Sequence, residues 1–300
     1  MTDKLILVTG AANAGSVGRK VIERLRSSGL PTRALVRQDD ERAETLRAAG
    51  AEVVVGDLTR PADVARALEG CHRIYFGMSV SSHYLEATGA VAAAAREHGA
   101  LEVFVNMSQM TVSQMTLTSS SESRQQRLHW LSEQILSWSG LPVVQVRPTI
   151  FMENPLFQLG IRSTPEGITI QLPFGSGRTS PVSTSDVADV VSTILTEPSP
   201  HLGQVYELTG PVSRDMYGIA DQFTEAMGRH VTYVDVPSGE WAQALAGVKL
   251  PDHLFEHITT MTRLQRENRY DRISTDIETI LGRPPLDVRY FVETNPQLFR

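Results

Sequence analysis

The glycine-rich segment VTGAANAGSVG constrains the fold more than any other part of this 300-residue chain. It joins the apolar run Leu5 to Val8, which predicts a buried strand, to a segment with the spacing of an amphipathic helix. Gly10, Gly15 and Gly18 therefore lie in a strand-to-helix connection, where backbone N–H groups and the helix dipole favour an anion such as a dinucleotide pyrophosphate. The spacing Gly-x4-Gly-x2-Gly is longer than the common Gly-x2-Gly-x2-Gly, and Asn13 lies inside it. A plain turn is the alternative interpretation.

A second strand is predicted over Thr32 to Val36, and Arg37 follows it. In dinucleotide-binding folds the residue about twenty positions after the glycines discriminates between coenzymes, and an acidic residue there would bind the ribose hydroxyls of NAD. A guanidinium suits a 2′-phosphate instead. The sequence therefore favours NADP(H) over NAD(H), with a solvated strand-end arginine as the alternative.

Composition excludes several classes of protein. Hydrophobic residues make up 41% of the chain and charged residues 21%, which is typical of a globular protein with a sizeable core. The net charge of −6 argues against direct binding to nucleic acid or to anionic lipid. The single cysteine, Cys71, and the absence of a long apolar run predict a cytoplasmic protein without a membrane span. The sequence leaves a homo-oligomer open.

Apolar runs and amphipathic segments alternate through the first half of the chain. This pattern predicts an α/β fold with an open, doubly wound parallel sheet of the Rossmann type. Ligands of such sheets bind beyond the carboxyl ends of the strands. We therefore expect six residues that follow predicted strands to converge along one edge: Gly10, Arg37, Asp57, Gly77, Ser108 and Pro148.

The alternation stops beyond Pro148, where proline and glycine divide the chain into loops and short elements. The run Ser183 to Asp186 predicts a helix start, and Gln204 to Leu208 a strand that returns to the main sheet. We therefore expect two interleaved domains. A nucleotide-binding domain comprises residues 1–150 and 184–210, and a smaller substrate domain comprises 151–183 and 211–300.

A short duplication follows the fifth predicted strand. Ser108-Gln109-Met110-Thr111 recurs as Ser113-Gln114-Met115-Thr116. We interpret the stretch as a mobile lid whose methionines adapt to an apolar substrate, with an ordinary surface loop and core methionines as the alternative.

Taken together, the glycine loop, Arg37, Gly56-Asp57-Leu58 and Arg147-Pro148 resemble the NmrA-like family of atypical short-chain dehydrogenases/reductases. The strings Phe151-Met152-Glu153-Asn154 and Leu281-Gly282-Arg283-Pro284-Pro285 strengthen the resemblance, which extends over nearly the whole chain. It implies an NADP(H)-binding Rossmann domain with a small C-terminal substrate domain. Members of the family include quinone, dye, imine and enone reductases as well as redox-sensing regulators without turnover.

The chain departs from typical short-chain dehydrogenases where those use Tyr-x3-Lys. The corresponding helix offers Gln125 and His129, and glutamine cannot act as a general acid. Ser108 and His129 are the candidate catalytic residues, because a hydroxyl can donate a hydrogen bond to a reacting carbonyl and an imidazole can carry a proton. Glu133, one helical turn further, is a candidate to orient His129; a surface pair and a strand-end serine that bonds local backbone are the alternatives.

The segment His253-Leu254-Phe255-Glu256-His257 matches a zinc-hydrolase signature, His-x2-Glu-His. Two histidines one helical turn apart can ligate a metal, but short matches of this kind arise by chance. We therefore expect an ordinary amphipathic helix and no metal.

These observations predict an NADPH-dependent reductase that passes hydride to a quinone, enone or imine without the Tyr-Lys dyad. The rival hypothesis is a non-catalytic NADP(H) sensor that acts through a protein partner. Residues expected to bind cofactor are Gly10, Asn13, Gly15, Ser16, Val17, Gly18, Arg37, Asp57, Leu58, Phe76, Gly77, Met78, His129 and Phe151. Residues expected to contact a small-molecule substrate are Met110, Met115, Met152 and Asn154. Phe76, Met78 and Phe151 are also candidates for its apolar walls, or for plain core.

Overall fold

The structure is a computed structural model, and it describes residues 4–154, 160–164 and 167–299. Its main feature is a seven-stranded parallel sheet with the order β3-β2-β1-β4-β5-β6-β9. The strands are β1 (Leu5–Val8), β2 (Thr32–Val36), β3 (Glu52–Val55), β4 (Cys71–Phe76), β5 (Val103–Met107), β6 (Val143–Pro148) and β9 (Val205–Leu208). The predicted doubly wound α/β fold is thus confirmed, and so is the return of the chain to this sheet after residue 204.

Helices cover both faces of the sheet because neighbouring strand residues point to opposite sides. Ile6 and Val8 enter a core with one set of helices, and Leu7 enters the core on the other face. The first set consists of α1 (Val17–Ser27), α2 (Glu41–Ala48), α6 (Thr184–Thr196) and α10 (Asp276–Leu281). The second set consists of α3 (Pro61–Leu68), α4 (Tyr84–His98) and α5 (Arg124–Trp138).

A second sheet of three strands has the order β10-β8-β7 and packs with C-terminal helices around a third apolar core. Two of its strands lie in the segment beyond Pro148 that was expected to contain only loops and short elements, because glycine and proline interrupt the sequence there. The remaining elements are β7 (Ile161–Thr164), β8 (Gly167–Leu172), β10 (Val231–Asp235), α7 (Met216–Met227), α8 (Ser238–Ala246), α9 (Asp252–Arg266) and α11 (Val288–Thr294). Short 3-10 helices cover residues 110–114, 199–201 and 296–299.

The C-terminal segment is fastened to the main domain by an ion-pair network. Arg283 places its two terminal nitrogens 2.8 Å from Asp186 and 2.7 Å from Asp189 of α6, and Asp189 also pairs with Arg24 of α1. Asp186 is fully buried, so its charge needs this partner. Within the described residues, none of the helices has the length and apolar character that a membrane crossing requires.

Candidate functional site

The strand order reverses between β1 and β4, and two glycines meet at that point. Gly10 follows β1 with a φ of +66°, and a Cβ added to it would lie 2.6 Å from the carbonyl oxygen of Gly77, which follows β4. Thr9 fixes this approach, because its Oγ1 donates to Gly77 O (2.8 Å) and accepts from Gly77 N (3.0 Å). Only glycine therefore fits at position 10, at the switch point where ligands of doubly wound sheets bind.

The loop after Gly10 turns into the first helix. Gly15 has a φ of +72°, and Ser16 caps α1 by accepting a hydrogen bond from the N–H of Arg19. Gly18 is buried against the end of β1. A Cβ added to it would lie 2.7 Å from Thr9 O, so the first turn of α1 can pack this closely only with glycine at this position. The side chain of Val17 belongs to the core, so only its backbone is available to a ligand.

Arg19 supports the loop from the helix side. Its Nη2 donates to the carbonyl oxygen of Ala12 at 2.9 Å, and its Nε lies 3.4 Å from that of Ala11. These contacts hold two loop carbonyls on the side of α1. We did not identify this role from the sequence, because only the position of Arg19 next to Gly18 indicated it.

A cleft of about 470 Å³ runs along the carboxyl ends of β1 to β4. Its shape and lining fit an extended dinucleotide: a glycine cradle at one point, and charged residues at the end of β2. The lining includes the predicted residues Gly10, Asn13, Arg37, Asp57, Leu58, Gly77 and Met78, together with Arg42, Thr59, Ser79, Val80, Ser81 and His83.

Two arginines stand at the β2 end of the cleft, beside an adjoining pocket of about 330 Å³. The Arg37 side chain is 85% exposed, with its Nε 4.0 Å from Asp57. Arg42 stands beside it, held by Asp40, whose Oδ2 accepts its Nε at 2.9 Å and its Nη2 at 2.5 Å. Arg42 was missed in the sequence because only the turn into α2 brings it back to the end of β2.

The nearby carboxylates have partners of their own. Asp39 lies 2.7 Å from Arg47, and Asp40 also caps α2 through the N–H of Arg42. The pKa of Asp57 is held below its usual value by hydrogen bonds from the backbone N–H and hydroxyl of Thr59. Arg37 is therefore the cation of this group with the weakest intramolecular pairing.

Seven of the fourteen predicted cofactor residues do not line the cleft: Gly15, Ser16, Val17, Gly18, Phe76, His129 and Phe151. The Phe76 side chain is fully buried and packs against the rings of Tyr84 and Phe104. The expectation that it walls a pocket is corrected, because the last residue of β4 points into the core between the sheet and the helices α3, α4 and α5.

Several buried polar groups lie beyond the carboxyl end of β5. Ser108 Oγ, Gln125 Nε2 and His129 Nδ1 are buried without a hydrogen-bond partner among the described residues. The His129 ring lies 4.1 Å from that of Tyr84, whose hydroxyl donates to Met107 O. Burial, assisted by the nearby His257, lowers the pKa of His129 to about 3. His129 is thus a neutral imidazole near neutral pH, with one N–H donor and one nitrogen acceptor.

Glu133 does not orient His129. Its two carboxylate oxygens bind Arg147 of β6, with Oε1 2.9 Å from Nε and Oε2 2.5 Å from Nη2. The helix turns Glu133 toward the sheet, where a buried carboxylate needs a full charge partner. The proposed Glu133-His129 pair is therefore corrected.

The expected mobile lid is a docked 3-10 helix. Met110 and Met115 are buried, so their side chains belong to the core and not to an exposed substrate wall. Gln114 donates to the Arg269 carbonyl oxygen at 3.0 Å, and Ser113 Oγ accepts from Arg272 at 2.5 Å. These two bonds tie the segment to the chain that follows α9.

The segment after β6 leads from the main sheet toward the second one. Phe151 forms a bridge with Val182, and Met152 is buried in the third core, which corrects its placement as a substrate contact. Asn154 is partly exposed at the edge of the described residues. Glu153 accepts hydrogen bonds from the backbone and hydroxyl of Thr184, so the conspicuous acidic residue of this string caps α6.

The residues of the His-x2-Glu-His segment make structural contacts between helices. His257 is buried with its Nδ1 2.8 Å from Ser123 Oγ, and Glu256 accepts the N–H of Arg124 at the start of α5. Both residues thus join α9 to α5. Across the described ranges, histidine, cysteine, aspartate and glutamate form no group of three that can hold a metal ion.

A parallel doubly wound sheet with a glycine cradle at its switch point defines a protein of the Rossmann-like class. Comparison with family models is more specific: residues 2–284 match the NmrA-like family. The chain belongs to that family.

Characterised relatives cover the whole length of the chain. The NAD(P)H azoreductase of Xenophilus azovorans is 27% identical over 298 residues, which is 98% of this chain and 99% of the azoreductase. A (4-alkanoyl-5-oxo-2,5-dihydrofuran-3-yl)methyl phosphate reductase of Streptomyces griseus is 29% identical over 296 residues, with the same two coverages. Among solved structures, the NADPH-dependent quinone oxidoreductase QOR2 of Escherichia coli, complexed with NADPH, superimposes with a TM-score of 0.81 at 24% identity. That match covers 98% of this chain and all of QOR2.

Proposed function

We propose that this protein is an NADPH-dependent reductase that transfers hydride to an electrophilic small molecule of the quinone, enone or imine class. The observation that carries the proposal is the exposed guanidinium of Arg37 at the end of a glycine-cradled cleft, next to carboxylates that are already paired. A bound 2′-phosphate would give that guanidinium a strong, charge-assisted partner.

We assign one part of the lining to each end of the coenzyme. The N–H groups of the Gly10 loop and the N-terminus of α1 would bind the pyrophosphate, with Arg19 keeping loop carbonyls turned away. Arg37 and Arg42 would bind the 2′-phosphate. Asp57 and Leu58 would border the adenosine. When bound, NADPH supplies the hydride from its nicotinamide ring.

The residues near the nicotinamide end favour acceptors that need little help from an acid. We infer from the sequence spacing that Gln125 and His129 take the positions of the Tyr-Lys dyad, and neither is a proton donor of the right strength near neutral pH. Ser108 and neutral His129 remain as hydrogen-bonding groups for substrate or ribose. Proximity and exclusion of water would supply most of the rate. The names of the azoreductase and phosphate reductase relatives support electrophilic acceptors of this kind.

We place the reaction in the cytoplasm, because the single cysteine, Cys71, is buried and unpaired. The partner expected in that compartment is a small-molecule substrate. Residues 1–150 with 184–210 would bind the coenzyme, and residues 151–183 with 211–300 would cover the substrate.

A test of the proposal is oxidation of NADPH, followed by absorbance, with a panel that contains a quinone, a conjugated enone, an azo dye and an iminium dye. We expect turnover with at least one acceptor, and much slower turnover with NADH at equal concentration. Tight NADPH binding without turnover on the whole panel would contradict the reductase and support the redox sensor.

A further inference from the structure

Gln125 is held in one orientation by a bond to a residue that lines the cleft. It is the second residue of α5 and only 4% exposed. Its Oε1 accepts a hydrogen bond from the backbone N–H of Ser81 at 3.2 Å, and Ser81 lines the cleft. A backbone N–H can bond only to the oxygen of the amide, so the assignment of Oε1 and Nε2 is fixed by this contact.

The other end of the same amide is a donor without an acceptor. Nε2 carries two N–H groups, is buried, and has no partner within the ranges that the structure describes. Buried donors are satisfied in the great majority of cases, and an unpaired one is costly. A fixed amide beside a ligand cleft with an unused donor therefore points to a ligand acceptor.

Two further residues have buried polar groups without a partner in the described ranges. His129 lies one helical turn along α5 from Gln125, and its ring packs against that of Tyr84 at a tilt of 46°. The Tyr84 hydroxyl bonds to Met107 O, and Ser108 follows directly. Contacts through Tyr84 thus join α5, which carries Gln125 and His129, to the end of β5, where Ser108 follows, and each of these three residues has a buried polar atom without a partner among the described residues.

We propose that Gln125 Nε2 is a catalytic hydrogen-bond donor that stabilises negative charge on a neutral, conjugated carbonyl acceptor as it is reduced. The inference rests on the proposed function and narrows its substrate class to quinones and enones. The amide stabilises the negative charge by a hydrogen bond, as a general acid would, but it does not transfer its proton to the substrate.

Hydride brings two electrons and forms a new bond at the electrophilic end of the conjugated system, while the coenzyme is oxidised to NADP⁺. The displaced π electrons move to the carbonyl oxygen, which becomes an oxyanion and accepts the N–H of Gln125. When the product leaves the site, solvent water protonates that oxygen and leaves hydroxide to the buffer. An amide suits such an anion because quinone and enone products are weakly basic compared with the alkoxide of a simple ketone.

A cationic acceptor provides an internal control. When an iminium or triarylmethyl cation accepts hydride it becomes neutral, so no anion forms and an N–H donor has nothing to stabilise. Gln125 should therefore matter for neutral conjugated carbonyls and not for cationic dyes.

The experiment compares wild type, Gln125→Met and Gln134→Met on benzoquinone and on a cationic triarylmethane dye. Gln134 lies further along the same helix and is the matched control. We expect Gln125→Met to lower kcat/KM for benzoquinone about 100-fold, the usual effect of deleting one oxyanion donor, and the dye value less than about threefold. Gln134→Met should leave both values at the wild-type level.

A readout without turnover uses p-nitrophenolate, a stable oxyanion, bound to the protein with NADP⁺. Gln125→Met should weaken p-nitrophenolate at least about tenfold and leave the Kd of NADPH unchanged. Equal losses for benzoquinone and dye, or unchanged p-nitrophenolate binding, would overturn the role of Gln125 while wild-type turnover still supported the reductase. A wild type that reduces neither acceptor would overturn the proposed function itself.

Discussion

Glu133 of α5 and Arg147 of β6 form a two-point ion pair that joins a helix to the sheet beneath it. Glu133 is 6% exposed and Arg147 is 18% exposed, so the pair is largely removed from water. Removing one partner leaves the other charge buried without compensation, which costs more than the pair gains.

We expect Glu133→Ala to lower the free energy of unfolding by about 3 kcal/mol, measured by urea denaturation. The double variant Glu133→Ala with Arg147→Met should recover part of this loss, because no unpaired charge remains. A single-variant loss below about 1 kcal/mol would mean that water screens the pair as it does at a surface.

His129 and His257 make stability sensitive to acid. Burial lowers their pKa values, to about 3 for His129, helped by His257, and to about 4 for His257. In the unfolded chain both histidines bind protons near pH 6.5. Their contribution to the free energy of unfolding is therefore complete above that pH and is lost as the pH falls toward their folded pKa values. We expect each histidine to contribute up to about 2 kcal/mol of the loss between pH 7 and pH 5.

Urea denaturation of wild type and His257→Asn at pH 7, 6 and 5 measures the contribution of His257. Asparagine can still form a hydrogen bond with Ser123, because its amide both donates and accepts, but it does not titrate. The variant should show a shallower decline than wild type. Parallel declines would show that His257 keeps an ordinary pKa in the folded protein.

Gly10 and Gly15 provide a matched pair in the loop. Both have positive φ, but a Cβ at Gly10 would overlap Gly77 O, whereas at Gly15 it would meet nothing within 4 Å. We expect Gly15→Ala to cost about 1–2 kcal/mol of stability, and Gly10→Ala distinctly more together with most NADPH binding. Thermal unfolding and calorimetry measure the two effects, and equal losses in the two variants would show that the approach to Gly77 is not needed.

Arg19 offers a test of loop support. Arg19→Met removes its bonds to the Ala11 and Ala12 carbonyls and should raise the Kd of NADPH and NADH by a similar factor, about tenfold. The factor should be similar because both coenzymes contain the pyrophosphate. Should only NADPH weaken, Arg19 would be a direct phosphate ligand and not a support of the loop.

The sequence predicted the main sheet well because buried parallel strands are short apolar runs between turns. The first two strands, at Leu5 and Thr32, have the predicted bounds. The glycine turn and Arg37 were visible because they lie within a few residues of these strands.

The parts that were missed depend on contacts between distant segments. Glu133 pairs with Arg147, 14 residues away, and not with His129. Gln125 accepts a hydrogen bond from Ser81, 44 residues away. The duplicated Met motif indicated a lid, but its docking needs Arg269 and Arg272, more than 150 residues away. Local spacing carries no information on such pairs, since the fold alone brings them together.

Binding of the two coenzymes to wild type and Arg37→Ala, measured by calorimetry, tests the central claim most directly. Loss of a charge-assisted contact predicts that NADPH weakens about 10- to 100-fold in the variant, while NADH changes little. Arg289→Ala, which removes an exposed arginine of α11, is the control and should bind both as wild type does. Equal weakening of NADPH and NADH by Arg37→Ala, or no binding of either coenzyme to wild type, would contradict the account.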